Sequence, residues 1–121
     1  MINFTTKHCV SCEGGVEPLA PAKVQEYLSA VTGWEVLADN KKIWQEIIFK
    51  DFVSAIGFIN KVAQLAENEG HHPDLHLTSW NHLKIELWTH AIGGLSDNDF
   101  ILAAKINLLL NQTLDDGGKK V

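Results

Sequence analysis

Five of the six histidines in this 121-residue chain lie between positions 71 and 90. His71 and His72 directly precede Pro73, while His90 and then Asp99 stand further along the chain. A hairpin of strands could bring the three histidines and the aspartate to one place. An imidazole gives and takes protons near neutral pH because its unperturbed pKa is about 6.5. These residues therefore predict a site of general acid–base chemistry, where histidines exchange protons with a substrate.

Two other kinds of catalytic site fit this stretch less well. His72 and His76 have the i, i+4 spacing of two metal ligands on one helix face, but Pro73 between them prevents that helix. Neither Ser79 nor Ser96 lies in the G-x-S-x-G turn that exposes a nucleophilic serine. The sequence therefore favours an acid–base site with no metal and no covalent intermediate.

The candidate residues also have purely structural interpretations. His71 and His72 could be solvated residues at a helix end, where an imidazolium interacts favourably with the helix dipole. Ser96 and Asp99 have the spacing of a capping box that would begin the last helix. On the residue pattern alone, these structural roles and an acid–base site at His71, His72 and His90 are alternatives.

Cys9 and Cys12 form a C-x-x-C pair near the N-terminus. Such a pair supplies two of the four ligands of a structural zinc site, and His8 could add a third. A redox role would place the pair between a strand and a helix, whereas here it lies in a leader with several glycines and prolines. We therefore expect reduced thiols in a loop.

The periodicity of apolar residues predicts the elements that carry the candidate site. The predicted helices are Ala22–Val31, Phe52–Asn68 and Asp97–Gln112, and the predicted strands are Trp34–Leu37, Lys42–Phe49, Leu75–Trp80 and Leu83–Thr89. Gly33 would end the first helix, and Asn81-His82 would form the turn of the second hairpin. The order α-β-β-α-β-β-α indicates an α+β fold, in which a four-stranded antiparallel sheet carries three helices on one face.

The central helix decides where the first two histidines lie. Asp51 is a suitable N-cap for this helix, and Gly70 is placed to end it. His71 and His72 would then begin a loop. The predicted buried stripe of the helix is Phe52, Ile56, Ile59, Ala63 and Ala66.

Alternation along the last strand bears on the position of His90. Lys84, Glu86 and Trp88 share one face, and His90 joins them if the strand stays regular. The chain then enters a glycine loop, so the sequence leaves the face of His90 open. Trp44 and Trp88 would lie on a sheet too small to cover itself, and we therefore expect a homo-oligomer.

Composition limits the domain organisation and the partners. The formal net charge of -5 argues against a nucleic-acid surface, which usually carries a basic patch. No apolar run approaches the about 20 residues that cross a bilayer, and the N-terminus lacks a signal-peptide core, so we expect a cytoplasmic protein without a membrane partner. We predict an irregular leader over 1–20, a single domain over 21–114 and a polar tail over 115–121.

The chain carries a recognisable series of short motifs in a fixed order. They are Trp34, Phe49-Lys50-Asp51-Phe52, Ala66-Glu67, His71-His72-Pro73, Trp80-Asn81, Thr89-His90, Gly94-Leu95-Ser96, Asp99 and Leu102-Ala103. This set resembles the pterin-4a-carbinolamine dehydratase family, over roughly residues 20–110. Trp80 stands where tyrosine is common in that family, and the segment before Trp80 is slightly longer than in its shortest members.

The resemblance implies an enzyme that removes water from 4a-hydroxytetrahydrobiopterin, a pterin-4a-carbinolamine, to give quinonoid dihydropterin. This reaction recycles the pterin cofactor after aromatic amino-acid hydroxylation, which implies a functional link with an aromatic amino-acid hydroxylase. The resemblance also implies an α+β fold and a homodimer or homotetramer. Imidazoles can perform the reaction without a metal or a cofactor.

Several site residues carry over from the family. They are His71, His72, Pro73, His90 and Asp99, with Thr89 as a further substrate-binding residue. Because hydroxide is a poor leaving group, an acid should protonate it as a base removes the proton from N5. We expect His72 and His90 to flank the hydroxyl group and N5, and His71 to orient the pterin ring. Asp99 would hold an imidazole in its tautomer, and the acid and the base stay unassigned.

Two other roles are compatible with the same fold. Some relatives act as dimerisation partners of transcription factors, or as assembly factors that have lost the enzymatic site. Here His71, His72 and His90 are intact, which weighs against such a loss. A related substrate in molybdopterin metabolism is the other alternative.

Overall fold

The computed structural model describes residues 3–10, 17–37, 39–115 and 119–120. Its helices are α1 (Pro21–Leu28), α2 (Phe52–Glu69) and α3 (Asp97–Asp115), with short 3-10 helices at Phe4–Thr6 and His90–Ile92. Its strands are β1 (Glu35–Val36), β2 (Ile43–Ile48), β3 (Asp74–Thr78), β4 (His82–Leu87) and β5 (Lys119–Lys120). Within these residues, no helix is long and apolar enough to cross a membrane.

The two hairpins lie side by side in one antiparallel sheet. The strand order is β1-β2-β4-β3, so β2 and β4 are neighbours at the centre. Ile43 of β2 lies opposite Leu87 of β4, and Leu75 of β3 lies opposite Ile85. β5, within the predicted polar tail, adds a short pairing with the C-terminal end of β2. The predicted α+β fold with a four-stranded antiparallel sheet and three helices is confirmed.

Alternation along the central strands separates the two faces of the sheet. Ile43 and Ile47 on β2 and Leu83 and Leu87 on β4 are fully buried in the core that the helices cover. The side chains between them point to the other side, which we call the open face. It includes Trp44, Glu46, Lys84, Glu86 and Trp88, all of them only partly buried.

Hydrogen bonds confirm both predicted ends of α2. Oδ1 of Asp51 accepts a hydrogen bond from the Ser54 N–H at 2.8 Å, which caps the first turn. Gly70 ends the helix in the left-handed conformation, with a φ of 67°. The N–H groups of Gly70 and His71 both bond back to the Ala66 carbonyl. This reversal makes His71 the first residue of the following loop.

The predicted buried stripe of α2 is wrong in most positions. Phe52 is 51% exposed and Ile56 is 36% exposed, so neither belongs to the core. The buried face consists of Ala55, Phe58, Val62 and Ala66. Apolar residues cover more than one side of α2, and helical spacing therefore fits two different stripes. Packing of α2 against α3 and the sheet selects one of them.

Two turns lie elsewhere than predicted. α1 ends at Leu28, and Gly33 adopts a φ of 88° in the turn that follows instead of capping the helix. The turn between β3 and β4 is formed by Ser79 and Trp80, with φ values of 48° and 56°, and His82 already belongs to β4. Two consecutive positive φ values suit the twist of a tight hairpin. Such values are uncommon for serine and tryptophan, so residue type did not indicate this turn.

Part of the predicted leader packs into the core. Phe4 is 2% exposed, and its ring centroid lies 5.0 Å from that of Tyr27 and 6.0 Å from that of Phe100. Phe4 therefore joins α1 to α3. The predicted boundaries at residues 20 and 115 stay predictions, since residues 1–2, 11–16, 38, 116–118 and 121 lie outside the described part.

Candidate active site

A cavity of about 390 Å³ opens beside the loop that follows α2 and the segment that joins β4 to α3. Five of the six predicted site residues line it: His71, His72, Pro73, Thr89 and His90. The sixth, Asp99, contacts His71 from the protein interior. The other walls of the cavity are Val10, Gly70, Asp74, Ala91 and Asn98. The fold therefore brings the predicted site residues together.

Asp99 orients His71. Asp99 is fully buried, and its Oδ1 lies 2.6 Å from Nε2 of His71, whose side chain is 12% exposed. Oδ2 of Asp99 accepts hydrogen bonds from the Thr89 hydroxyl at 2.8 Å and from the Ser96 N–H at 3.0 Å. A carboxylate only accepts hydrogen bonds, so a neutral His71 carries its proton on Nε2. Nδ1 of His71 is then the ring nitrogen that can accept a proton.

The capping role of Asp99 coexists with its contact to His71. The bond from the Ser96 N–H to the Asp99 carboxylate is one half of a capping box at the start of α3. The Ser96 hydroxyl also exchanges a hydrogen bond with the Thr89 hydroxyl, at 2.7 Å. The structural interpretation of Asp99 was therefore correct. This capping role does not exclude a role in the site, because the start of α3 fixes the position of the carboxylate that is bonded to His71.

His72 has a carboxylate partner on the solvent side of the cavity. Its Nε2 lies 2.5 Å from Oε2 of Glu67, and the two side chains are 62% and 72% exposed. Glu67 belongs to the last turn of α2 and therefore approaches His72 from across the helix end. The exposed carboxylate can exchange protons with water, and the pairing again leaves Nδ1 as the acceptor nitrogen of a neutral imidazole.

His90 lies in the loop that follows β4. A bridge between Thr89 and Gly94 closes this loop, with the Thr89 N–H donating to the Gly94 carbonyl at 2.8 Å. The His90 ring lies against the Trp88 ring, with centroids 3.8 Å apart and planes at 31°. Nε1 of Trp88 donates to Oδ2 of Asp74 at 3.0 Å. The His90 ring therefore lies on the same side of the sheet as Trp88, which is the side that alternation along β4 predicts.

Gly94 is the point where this loop meets the leader. A Cβ at Gly94 would lie 2.7 Å from Cβ of Pro18, so any larger residue would displace the leader. Next to this contact, the Leu19 N–H donates to the Leu95 carbonyl at 2.9 Å. The glycine thus allows the leader to pack directly on the loop that carries His90.

His76 and His82, which received no role from the sequence, lie apart from the cavity. Nε2 of His76 is 2.9 Å from Oε1 of Glu86, and Nδ1 of His82 is 3.8 Å from Oε1 of Glu46. Both histidines belong to the second hairpin, and neither lines the cavity. His76 therefore has a carboxylate partner, as the cavity histidines His71 and His72 do, but it lies outside this cavity.

Cys9 is a partly buried thiol. Burial and the nearby Glu69 carboxylate raise its pKa to about 12. Its Sγ lies 3.6 Å from the Asn98 carbonyl oxygen, to which it donates. A protonated thiol is a poor nucleophile and a poor metal ligand, which favours the predicted reduced thiol in a loop. Cys12 lies outside the described residues, and the described part contains no group of three or more metal-binding side chains suited to an ion.

Glu69 connects the leader with α3. Its Oε2 accepts a hydrogen bond from Nζ of Lys105 at 2.6 Å, and its Oε1 accepts one from the Cys9 N–H at 2.9 Å. Burial by itself would raise the pKa of Glu69. The hydrogen bonds from Lys105 and Cys9 outweigh burial and lower this pKa from 4.5 to about 2.

The lowered pKa predicts a pH dependence of stability. Glu69 stabilises the fold fully above pH 4.5, and this contribution is lost as the pH falls towards 2. Over that range we expect the urea midpoint of the parent protein to fall more steeply than that of Glu69→Gln. Equal slopes for the parent and Glu69→Gln would contradict the prediction.

Three residues that surround the histidines received no role in the site from the sequence: Glu67, Asp74 and Trp88. Glu67 offered a signal, because it lies on the last turn of the helix that ends just before His72. Asp74 and Trp88 offered none. Their hydrogen bond joins two strands, so it depends on a strand register that residue spacing does not reveal.

Comparison with known proteins extends the resemblance over most of the chain. A family model described as "Pterin 4 alpha carbinolamine dehydratase" matches residues 17–109. The chain is 47% identical over 112 residues to "Pterin-4-alpha-carbinolamine dehydratase 2, mitochondrial" of Arabidopsis thaliana, a match that covers 90% of this chain and 60% of that protein. It is 46% identical over 112 residues to a Chlorobaculum tepidum protein with the same family name, covering 91% of this chain and 100% of the relative.

A solved structure shares the fold. It is described as a transcriptional coactivator/pterin dehydratase from Brucella melitensis and is 31% identical to this chain. The TM-score is 0.71, and the match covers 77% of this chain and 98% of the other. Together with the family model, these similarities include the whole segment from His71 to Asp99. The chain therefore belongs to the pterin-4a-carbinolamine dehydratase family, which confirms both the family and the dehydratase class predicted from its residues.

Proposed function

We propose that this protein dehydrates 4a-hydroxytetrahydrobiopterin to quinonoid dihydropterin by histidine general acid–base catalysis. The observation that carries the proposal is the cavity itself, onto which His71, His72 and His90 all open. Its volume of about 390 Å³ suits a small bicyclic substrate, since ligand pockets commonly measure about 300–1,000 Å³. The Asp99 carboxylate supports the proposal because it orients one of these imidazoles.

The reaction requires one proton to be given and one to be taken. The C4a–O bond breaks, and an acid protonates the departing hydroxide to form water. A base takes the N5 proton, and the electron pair of the N5–H bond becomes the second bond between C4a and N5. We assign these two tasks to His72 and His90, and the orientation of the pterin ring to His71. Pro73 and Thr89 would complete the binding site.

The carboxylate partners indicate which ring nitrogens would act. Nε2 of His71 and Nε2 of His72 are each bonded to a carboxylate, so in the neutral imidazoles Nδ1 is the nitrogen with a free lone pair. His72 would therefore exchange the substrate's proton through Nδ1. Because the His72 side chain is 62% exposed, Nδ1 could then exchange that proton with water, which would reset the imidazole for the next turnover.

A stopped-flow assay with enzymatically generated 4a-hydroxytetrahydropterin tests the proposal. We expect the parent protein to accelerate the loss of water above the rate in buffer, with a dependence on protein concentration and saturation by substrate. Absence of any acceleration, in protein shown to be folded by circular dichroism, would refute the proposed function.

We also propose a homodimer or homotetramer. Trp44 and Trp88 lie on the open face beneath Lys84 and Lys42, whose Nζ atoms are 5.1 and 4.9 Å from the ring centroids. A second apolar surface is formed on α2 by Phe52, Val53 and Ile56, with Val53 79% exposed. A tetramer of paired dimers uses two separate interfaces, and the open face and this surface of α2 are the two candidates. Sedimentation equilibrium should give a mass of two or four chains, and a monomer at micromolar concentration would contradict this expectation.

An interaction protein on the same fold is the second candidate function. The description of the Brucella melitensis protein as a transcriptional coactivator favours it. The stopped-flow assay separates the two candidates, since an assembly protein without enzymatic activity would not accelerate dehydration. The link with an aromatic amino-acid hydroxylase, the cytoplasmic location and the alternative in molybdopterin metabolism stay predictions.

A further inference from the structure

The segment His8 to Val10, which we call the strap, crosses the side of the cavity. The Val10 N–H donates to Oδ1 of Asn98 at 3.0 Å, and Nδ2 of Asn98 donates to the Val10 carbonyl at 2.5 Å. The Cys9 N–H donates to Glu69 at 2.9 Å. Three hydrogen bonds therefore hold two consecutive residues of a segment that sequence reasoning left outside the site.

The groups that hold the strap are themselves buried. Asn98 is 4% exposed, and the Glu69 side chain is 7% exposed and paired with Lys105. A hydrogen bond to a buried and charged partner is stronger than one at the surface. Since Asn98 precedes Asp99, the strap is attached to the same turn of α3 that positions His71.

The leader meets the site segment a second time at Pro18 and Leu19. Pro18 packs against Gly94, and the Leu19 N–H bonds to the Leu95 carbonyl. The leader is thus fastened on both sides of residues 11–16. The strap is bonded to α2 and α3, whereas Pro18 and Leu19 contact the segment between β4 and α3. The strap is consequently a fixed wall of the cavity and does not depend on the catalytic loops for its position.

Val10 is the part of the strap that lines the cavity. Val10 is 70% exposed. Such exposure is unusual for an apolar residue whose backbone N–H and carbonyl are both hydrogen-bonded to a buried side chain. Most of the other residues that line the cavity are polar, and they include His72, His90 and Asp74. Binding sites for flat heteroaromatic ligands combine a few polar groups with apolar contacts, and Val10 supplies such a contact here.

We propose that Val10 contacts the bound pterin and is a further substrate-binding residue of this site. The inference rests on the proposed function and adds a substrate contact from the N-terminal leader. Val10 has no proton to exchange, so it contributes to binding and not to the chemical step. Truncation of Val10 should therefore raise KM and leave kcat unchanged.

Three variants test this proposal in the stopped-flow assay. Val10→Ala removes two carbons from the expected contact and should raise KM about threefold to tenfold, with kcat within about twofold of the parent. Val10→Ile keeps the contact and should stay close to the parent. Leu108→Ala, a truncation of an exposed apolar residue on α3 outside the cavity, is the control and should not alter KM. Quenching of the fluorescence of oxidised pterin measures binding in parallel, and Val10→Ala should weaken it by a similar factor.

The outcomes separate this inference from the proposed function. An active parent with unchanged KM and pterin affinity in Val10→Ala overturns the inference alone. A fall in kcat with constant KM also overturns it, because the strap would then act on the catalytic groups. A parent without activity overturns the proposed function and the inference together. Circular dichroism spectra and urea midpoints of all variants show whether a changed KM reflects the contact or a loss of folding.

Discussion

Replacing His72 or His90 by alanine is expected to lower the rate of carbinolamine dehydration by about 10²- to 10⁴-fold. Each substitution would remove either the acid that protonates the departing hydroxide or the base that takes the N5 proton. Both histidines line the cavity and both are exposed to solvent, so neither substitution creates a buried void. The loss should therefore appear in kcat, measured by stopped flow, while the urea midpoint stays near that of the parent.

His76→Ala provides the matched control for these variants. His76 is also paired with a carboxylate, Glu86, and it lies only a few positions from His72 in the sequence. Because it does not line the cavity, its removal should leave the dehydration rate within about twofold of the parent. Parental rates in both His72→Ala and His90→Ala would show that the acid–base assignment is wrong. A comparable loss in His76→Ala would point to a general effect on folding.

Replacing Asp99 by alanine should reduce both stability and activity. The buried carboxylate accepts hydrogen bonds from the Thr89 hydroxyl and the Ser96 N–H and pairs with His71. Alanine leaves these groups without their acceptor, and an unsatisfied buried donor costs about 1–3 kcal/mol. We expect a loss of about 2–4 kcal/mol in the free energy of unfolding, measured by urea denaturation, since water can reach some of the freed donors.

Asp99→Asn separates the orienting role of this residue from its structural role. The amide has nearly the same shape and keeps one oxygen for Thr89 and Ser96, but its NH2 group would face Nε2 of His71. A neutral His71 would then accept at Nε2 and carry its proton on Nδ1. We expect about a 10²-fold loss of activity with a much smaller loss of stability than in Asp99→Ala. Equal activity in Asp99→Asn and the parent would contradict the orienting role.

Local hydrogen bonds explain why the ends of α2 were predicted correctly. The cap at Asp51 and the reversal at Gly70 each involve residues that are close in the chain, so residue type and spacing carry the information. The buried face of α2 was predicted wrongly because two apolar stripes were available. Residue spacing cannot choose between them, since the choice depends on which stripe the sheet and α3 can cover.

The distinction between local contacts and packing of distant segments also applies to the site. Residue type made His71, His72 and His90 candidates for the site, because imidazoles exchange protons near neutral pH. Their surroundings come from distant parts of the chain. The strap reaches the cavity through contacts to Glu69 and Asn98, and neither contact has a signal in the spacing of residues.

The sequence by itself determined the α+β fold class, the order of the main elements, the candidate residues for proton exchange and the family. These properties follow from local periodicity, capping and residue chemistry. Only the tertiary structure decided which nitrogen of His71 is held by Asp99, which side of the sheet His90 takes, and that Val10 lines the cavity. The physical reason is that hydrogen bonds and ring contacts between distant segments depend on packing and strand register, which a linear pattern does not specify.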